Sequence, residues 1–302
     1  MKATTNKDWS KLGFFVVAII WGASFAFQRT IIKDIGAINF TFWSFFISAL
    51  IFLIYALLRN ANLLYRIREG IILGILLSGI EIFQMVGLKL STAADTAFLS
   101  NVGMLLVPYL GWILLRHKVT LKNNLSLVVA AVGMYFLVGG LRGFGLGEFY
   151  LLVSALFMAF YFLYLERYDG EKHSHVLTLC VQQFFVISVI CLVCGWFVGS
   201  GFYVGENQVS YLLWLTIIFT TIPYAIVQWA SKYADEMIVA MYDGVVEPLV
   251  GGIVAWMIFL EPTTPLEVSG GLLMILAFGF TGIFSRRHFL IKGIKILGTF
   301  IK

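Results

Sequence analysis

Runs of roughly 20 apolar residues follow one another along almost the whole chain, each the length that a helix needs to cross a bilayer core about 30 Å thick. Brief interruptions of charge, Asn, Gly or Pro separate them. Cutting at those interruptions predicts ten spans, at 12–32, 38–58, 70–89, 94–115, 122–141, 147–166, 175–198, 210–231, 237–260 and 266–286. Composition agrees that lipid is the solvent. Of 302 residues 60% are hydrophobic and 12% charged, against about a quarter charged in a soluble domain. The links are short, so sequential helices run antiparallel and no soluble domain fits between them. The expected fold class is therefore an all-α integral membrane protein of ten transmembrane helices.

The net charge of +5 raises the question of a nucleic-acid partner, but the bases sit at the ends of apolar runs and none is expected. Their placement sets orientation instead, because basic loops are retained in the cytoplasm. With the N-terminus inside, only Arg29, Lys33, Lys89 and Arg142 of the 21 Lys and Arg fall outside, and the other 17 fall inside. A multi-pass protein of the cell (inner) membrane with both termini cytoplasmic is predicted. Lys2, Lys7 and Lys11 before an apolar stretch resemble a secretory signal, but no small-x-small cleavage site follows, so the stretch reads as the first span. Residues 287–302, with Lys292 and Lys295 among Phe289, Leu290, Ile291, Ile294 and Ile296, read as a basic amphipathic tail on the inner leaflet or as a solvated charged tail.

Residues 94–140 overlay 237–283 at a constant offset of 143, pairing Ala97 with Ala240, Ser126 with Ser269 and Gly139 with Gly282. Apolar positions keep step as well, as in Leu106 with Leu249 and Val107 with Val250. Five spans per copy is an odd number, so the second copy enters the membrane from the other side. Two inverted five-helix repeats are expected, at 1–141 and 142–286, with a substrate site between them near the midplane.

The segment Trp21-Gly22-Ala23-Ser24-Phe25, the stretch Ser91-Thr92-Ala93-Ala94 leading to Ala97-Phe98-Leu99-Ser100 and Val107-Pro108, and the second-half series Tyr233-Ala234-Asp235, Glu247-Pro248 and Phe259-Leu260-Glu261-Pro262 resemble the drug/metabolite transporter superfamily, in its EamA-type ten-helix branch. Arg116-His117-Lys118 departs from the pattern, standing where many relatives place a Gly-Glu pair. The resemblance implies a transporter with a central cavity lined by spans 1, 3, 4, 6, 8 and 9, in a family that carries many different cargoes. It places Trp21, Phe25, Tyr161, Tyr164, Tyr224 and Trp229 in spans around that cavity, where rings would grip an apolar or cationic cargo.

A charge at mid-bilayer costs at least about 2.5–3.5 kcal/mol, so an acid there must face protein, water or substrate. Glu81, central in span 3, and Asp243 and Glu247 in span 9 meet that condition. Gly74, Ser78, Glu81 and Gln84 recur at helical spacing and form one polar stripe expected to face the cavity; alternatively a protonated Glu81 bonds a neighbouring helix. Asp243 and Glu247 share a helical face four residues apart, so one is expected to hold a proton or both to share a cation, unless Asp243 reaches the inner water. Asn101 and Gln228 add neutral polar groups. Pro108, Pro223 and Pro248 each remove a helical hydrogen bond, from Met104, Phe219 and Gly244 respectively, which suits a gated site as well as a simple packing kink.

No metal site is expected. His173 and His175 lack a third ligand, and Cys180, Cys191 and Cys194 lie inside one apolar run. No phosphate-cradling G-x-x-x-x-G-K-[ST] occurs. The expectation is a secondary transporter, not an enzyme, without cofactor, working as a monomer or weak dimer and alternating access by rocking one five-helix half against the other. Its small-molecule cargo is read as an amino acid or related amphipathic metabolite, with proton coupling expected to accompany it, or as an organic cation or quaternary amine. A membrane-embedded enzyme is the rival class, weakened by the scatter of the acids.

Overall fold

The computed structural model describes residues 2–115, 119, 121–137, 144–168, 176–230, 245–259, 264–277 and 279. Its helices are α1 (Lys2–Ile35), α2 (Ala37–Leu58), α3 (Ile67–Leu90), α4 (Ala93–Leu99), α5 (Val102–Leu115), α6 (Leu121–Leu137), α7 (Leu146–Tyr168), α8 (Val176–Val198), α9 (Glu206–Leu215), a π-helical segment (Thr216–Thr221), α10 (Ile222–Ala230), α11 (Glu247–Phe259) and α12 (Pro265–Ala277). No strand occurs among the described residues. Among the described residues, seven helical stretches are long and apolar enough to cross a membrane, at Asp8–Ile35, Ala37–Leu58, Ile67–Leu90, Ala93–Leu114, Leu146–Leu165, Leu177–Val198 and Glu206–Val227. Asn124–Leu137, Glu247–Ile258 and Pro265–Ala277 are shorter apolar helices. Every predicted run overlaps one of these stretches.

Two runs depart from a plain helix. The fourth breaks at Ser100–Asn101, between α4 and α5. Pro108 was the expected disturbance there, yet α5 runs through it. The cause lies upstream. The Thr96 hydroxyl bonds the Thr92 carbonyl at 2.8 Å, the Ser100 hydroxyl bonds that of Thr96 at 2.5 Å, and Asn101 Nδ2 bonds that of Ala97 at 2.9 Å. Side chains that occupy carbonyls one turn back compete with the helical ladder and bend it. The eighth run carries the π segment immediately before Pro223, and π turns at Val245 and Val246 likewise precede Pro248. A proline lacks the N–H and crowds the carbonyl four residues earlier, so a widened turn before it relieves the clash.

Large apolar side chains cover the outside, among them Ile54, Leu57 and Leu58 on α2 and Ile253 on α11. Trp196 and Phe197, 83% and 84% exposed at the end of α8, suit the water–lipid boundary. Inside, α1 packs along α11 and α10, α7 along α3 and α5, α2 along α8, and α4 crosses α11. The closest crossings need glycine. A Cβ on Gly22 of α1 would come within 2.5 Å of the Glu247 carbonyl oxygen, and one on Gly251 of α11 within 2.4 Å of the Ala97 Cβ. Gly133 of α6 and Gly270 of α12 face each other as closely.

Polar ties fasten the helix ends. Gln182 Nε2 on α8 donates to the carbonyls of Leu63 and Tyr65 in the α2–α3 turn, at 2.8 and 3.0 Å. At the other end of α3 the Ser91 hydroxyl donates to Glu148 of α7, and the other Glu148 oxygen accepts from the Gly145 N–H at 2.8 Å.

Candidate substrate site

Glu81 sits midway along α3, half-buried, with its carboxylate near the Tyr224 hydroxyl of α10. Tyr224 is placed by its ring neighbours. Phe184 of α8 meets it edge-on at 4.9 Å between centroids, Trp21 of α1 at 5.5 Å and Phe45 of α2 at 6.2 Å. Edge-to-face pairs at these separations hold a ring in one orientation. Tyr161 of α7 is close enough to interact electrostatically with Tyr224, and its hydroxyl donates to Gln183 Oε1 of α8 at 2.9 Å.

The second acid approaches from the opposite side. Glu247, buried in the first turn of α11, accepts from Asn101 Nδ2 at 3.2 Å and lies within electrostatic reach of Tyr224. Asn101 itself stands at the α4–α5 break, so two interrupted helices meet at this pair. Gly22 rests on the Glu247 backbone, which brings α1 against the start of α11. Trp21, Glu81, Tyr161 and Tyr224 come from four helices and each keeps part of its surface accessible. None of the groups gathered here is basic. The arrangement offers carboxylates for charge and aromatic faces of the kind that make cation–π contacts.

Comparison with known proteins fits a carrier. The model of the EamA-like transporter family matches residues 9–139. A relative from Archaeoglobus fulgidus, described as an uncharacterized transporter, is 26% identical across 89% of this chain and 84% of its own. The family match and these transporter relatives support membership of the drug/metabolite transporter superfamily. A second uncharacterized transporter of that archaeon is 24% identical across 85% of this chain and 91% of its own, and one from Methanothermobacter thermautotrophicus is 21% identical across 93% and 87%. A solved crystal structure has the same fold, with a TM-score of 0.66 at 14% identity, covering 92% of this chain and 98% of the other. The protein is thus a multi-pass membrane transporter.

Within this transporter the structure brings Trp21, Glu81, Asn101, Tyr161, Tyr224 and Glu247 into one neighbourhood. Gln84 is buried one turn beyond Glu81, and Tyr164 is half-buried one turn beyond Tyr161. Phe25, 4% exposed, belongs instead to the packed core around Met85, Ala97 and Ala255. The polar stripe on α3 divides. Gly74 packs against Val186 of α8, and the Ser78 hydroxyl turns back to the Gly74 carbonyl at 2.6 Å, so only the Glu81 end faces the aromatic group. Trp229 is 42% exposed. Asp243, His173, His175, Arg116, His117, Lys118, Ala240, Gly139, Gly282, the tail 287–302 and the side chain of Gln228 lie outside the described residues. Gln183 was missed from the sequence, although an amide pair at Gln182–Gln183 inside an apolar run is the same signal that singled out Glu81.

Proposed function

We propose that this transporter is a secondary carrier of a small amphipathic metabolite bearing a cationic centre, an amino acid or related amine, bound at Glu81 and Tyr224 and coupled to protons. The observation that carries the reading is the half-buried carboxylate at mid-helix, near a tyrosine that rings from separate helices frame. Gln84, Asn101, Tyr164, Gln228, Asp243 and Glu247 complete the proposed lining. A quaternary amine is favoured over a zwitterion if the cargo carboxylate finds no donor beyond Asn101 and the two tyrosines.

The proposed architecture is ten spans in two inverted repeats, 1–141 and 142–286, with both termini in the cytoplasm. Helix packing between the repeats supports it. Exchanging each span for the one five places on turns α3 against α7 into the α10 helix against α1, and α1 against α11 into α7 against α4–α5. Span 2 against span 7, and span 4 against span 9, map onto themselves; α3 against α8 maps onto the π segment against α2. This packing also favours a different rocking motion from one sequence half against the other. One body comprises α3, α4–α5 and α7, the other α1, α9–α10 and α11, and Glu81 and Tyr224 face each other across their boundary.

Counterflow in proteoliposomes tests the proposal. Labelled amino acids and quaternary amines are offered against the same unlabelled compounds, with and without a pH gradient. Exchange of an unaltered cationic compound, lost in Glu81→Gln, supports the reading. Exchange restricted to anions, or chemical conversion of the cargo, would refute it.

A further inference from the structure

Four buried hydroxyls form a ladder between α2 and the π segment. Ser44 and Ser48 are 1% and 0% exposed on α2; Thr216 and Thr221 are 0% and 8% exposed at the two ends of the π segment. Thr216 Oγ1 donates to Ser44 Oγ at 3.3 Å, and Ser48 and Thr221 share a hydrogen bond at 2.9 Å. The Thr221 hydroxyl also donates to the Thr216 carbonyl at 3.2 Å, so its bond with Ser48 is one it accepts.

The spacings on the two helices differ. Ser44 and Ser48 are four apart and lie one above the other on an α-helix. Thr216 and Thr221 are five apart, and in an α-helix residues five apart point about 140° away from each other. A turn closed from i to i+5 brings them onto one face. The Ile222 N–H does bond the Ile217 carbonyl, five residues back. Both hydroxyls therefore reach α2 only while the segment stays π-helical, and each ladder bond opposes its return to α geometry. Pro223 and Tyr224 follow at once.

We infer that Ser44, Ser48, Thr216 and Thr221 are positioning residues of this transporter, whose hydroxyl ladder holds the π segment and so aims Tyr224 at Glu81. The inference rests on the Glu81–Tyr224 site proposed above. Conversion of the bulge to α geometry would rotate everything after it by about 100°, enough to swing the Tyr224 ring out from between Trp21 and Phe184 and off the carboxylate.

A thiol cross-link reads this geometry without any cargo. In a background with Cys180, Cys191 and Cys194 replaced by Ala, Glu81→Cys and Tyr224→Cys are joined by a bis-methanethiosulfonate reagent as long as the two lost side chains. The cross-linking rate is followed in reconstituted protein. Thr216→Val with Thr221→Val is expected to lower it about fivefold, the weight of losing ordinary hydrogen bonds. Thr216→Ser with Thr221→Ser keeps the hydroxyls and should stay at the parent rate. Deleting Ile217, a half-exposed residue of the segment, in the valine background restores an α-helical path without rotating Tyr224, and should recover the rate. A general packing defect would not be rescued by a deletion. If the valine pair is poorly folded, Ser48→Ala makes the milder test, with about a twofold drop. Parent-rate cross-linking in folded valine and Ser48→Ala variants, or no recovery on deletion, overturns the inference. Because no transport is measured, that failure is distinct from failure of counterflow, which would strike the proposed function instead.

Discussion

The two helices that meet at Glu81 and Tyr224 are built on opposite plans. α3 is an unbroken helix from Ile67 to Leu90, clamped by α7 on one side and α8 on the other, with its ends tied by Gln182 near Arg66 and by Glu148 at Ser91. The helix opposite reaches Tyr224 through a π segment, a proline and a set of side-chain hydroxyls. The acid is thus held by backbone, and the ring that meets it by a π turn braced by side-chain hydroxyls. In the function proposed here the acid fixes where charge binds and the ring determines when it is covered.

Perturbing each plan should give effects of different size. Glu81→Gln is expected to reduce counterflow about 100-fold, the upper end for loss of a charged hydrogen-bond partner, while the variant elutes from gel filtration like the parent. Equal transport by parent and variant from pH 5.5 to 8 would remove the fixed half of the comparison. Pro223→Ala restores an N–H and relieves the crowding that favours the wide turn, so thermal unfolding should move upward while transport falls about tenfold. A variant both more stable and fully active would show that the turn is only a packing accommodation. Tyr224→Phe keeps the ring and its edge contacts but loses the hydroxyl, and transport should fall about fivefold. Ser78→Ala removes a hydroxyl that serves only its own helix, so transport should stay within about twofold of the parent. A larger loss would mean that the polar stripe on α3 reaches further into the site than Glu81.

What was legible in the sequence followed from length and from cost. A helix that must cross lipid declares itself by its apolar run, and an acid inside such a run declares itself by the energy of placing it there, which is why the apolar helices are legible and Glu81 stands out. The local breaks were hidden by competing signals. Pro108 is the more conspicuous residue of the fourth run, yet the three hydroxyl and amide side chains at Thr96, Ser100 and Asn101 do the bending. The π segment leaves only Thr216, Thr221 and Pro223 as a trace, and their meaning depends on Ser44 and Ser48 about 170 residues away. Phe25 shows the same limit from the other side: its position beside the Trp21-Gly22 motif suggested a lining ring, but Gly251 lets α11 approach so closely that Phe25 is enclosed. The signal for Gln183 was present and of the same kind as that for Glu81, an amide standing in apolar surroundings.

The first helix finds its main neighbours in α10 and α11, made long after it, while α7 finds its own in α3 and α5, made long before. A nascent chain stopped after α6 would therefore display in the bilayer a first helix still waiting for its partners and a groove on α3 still unfilled. Biogenesis of this carrier is completed from its far end, and two separately synthesised fragments divided between α6 and α7 should persist only when made together.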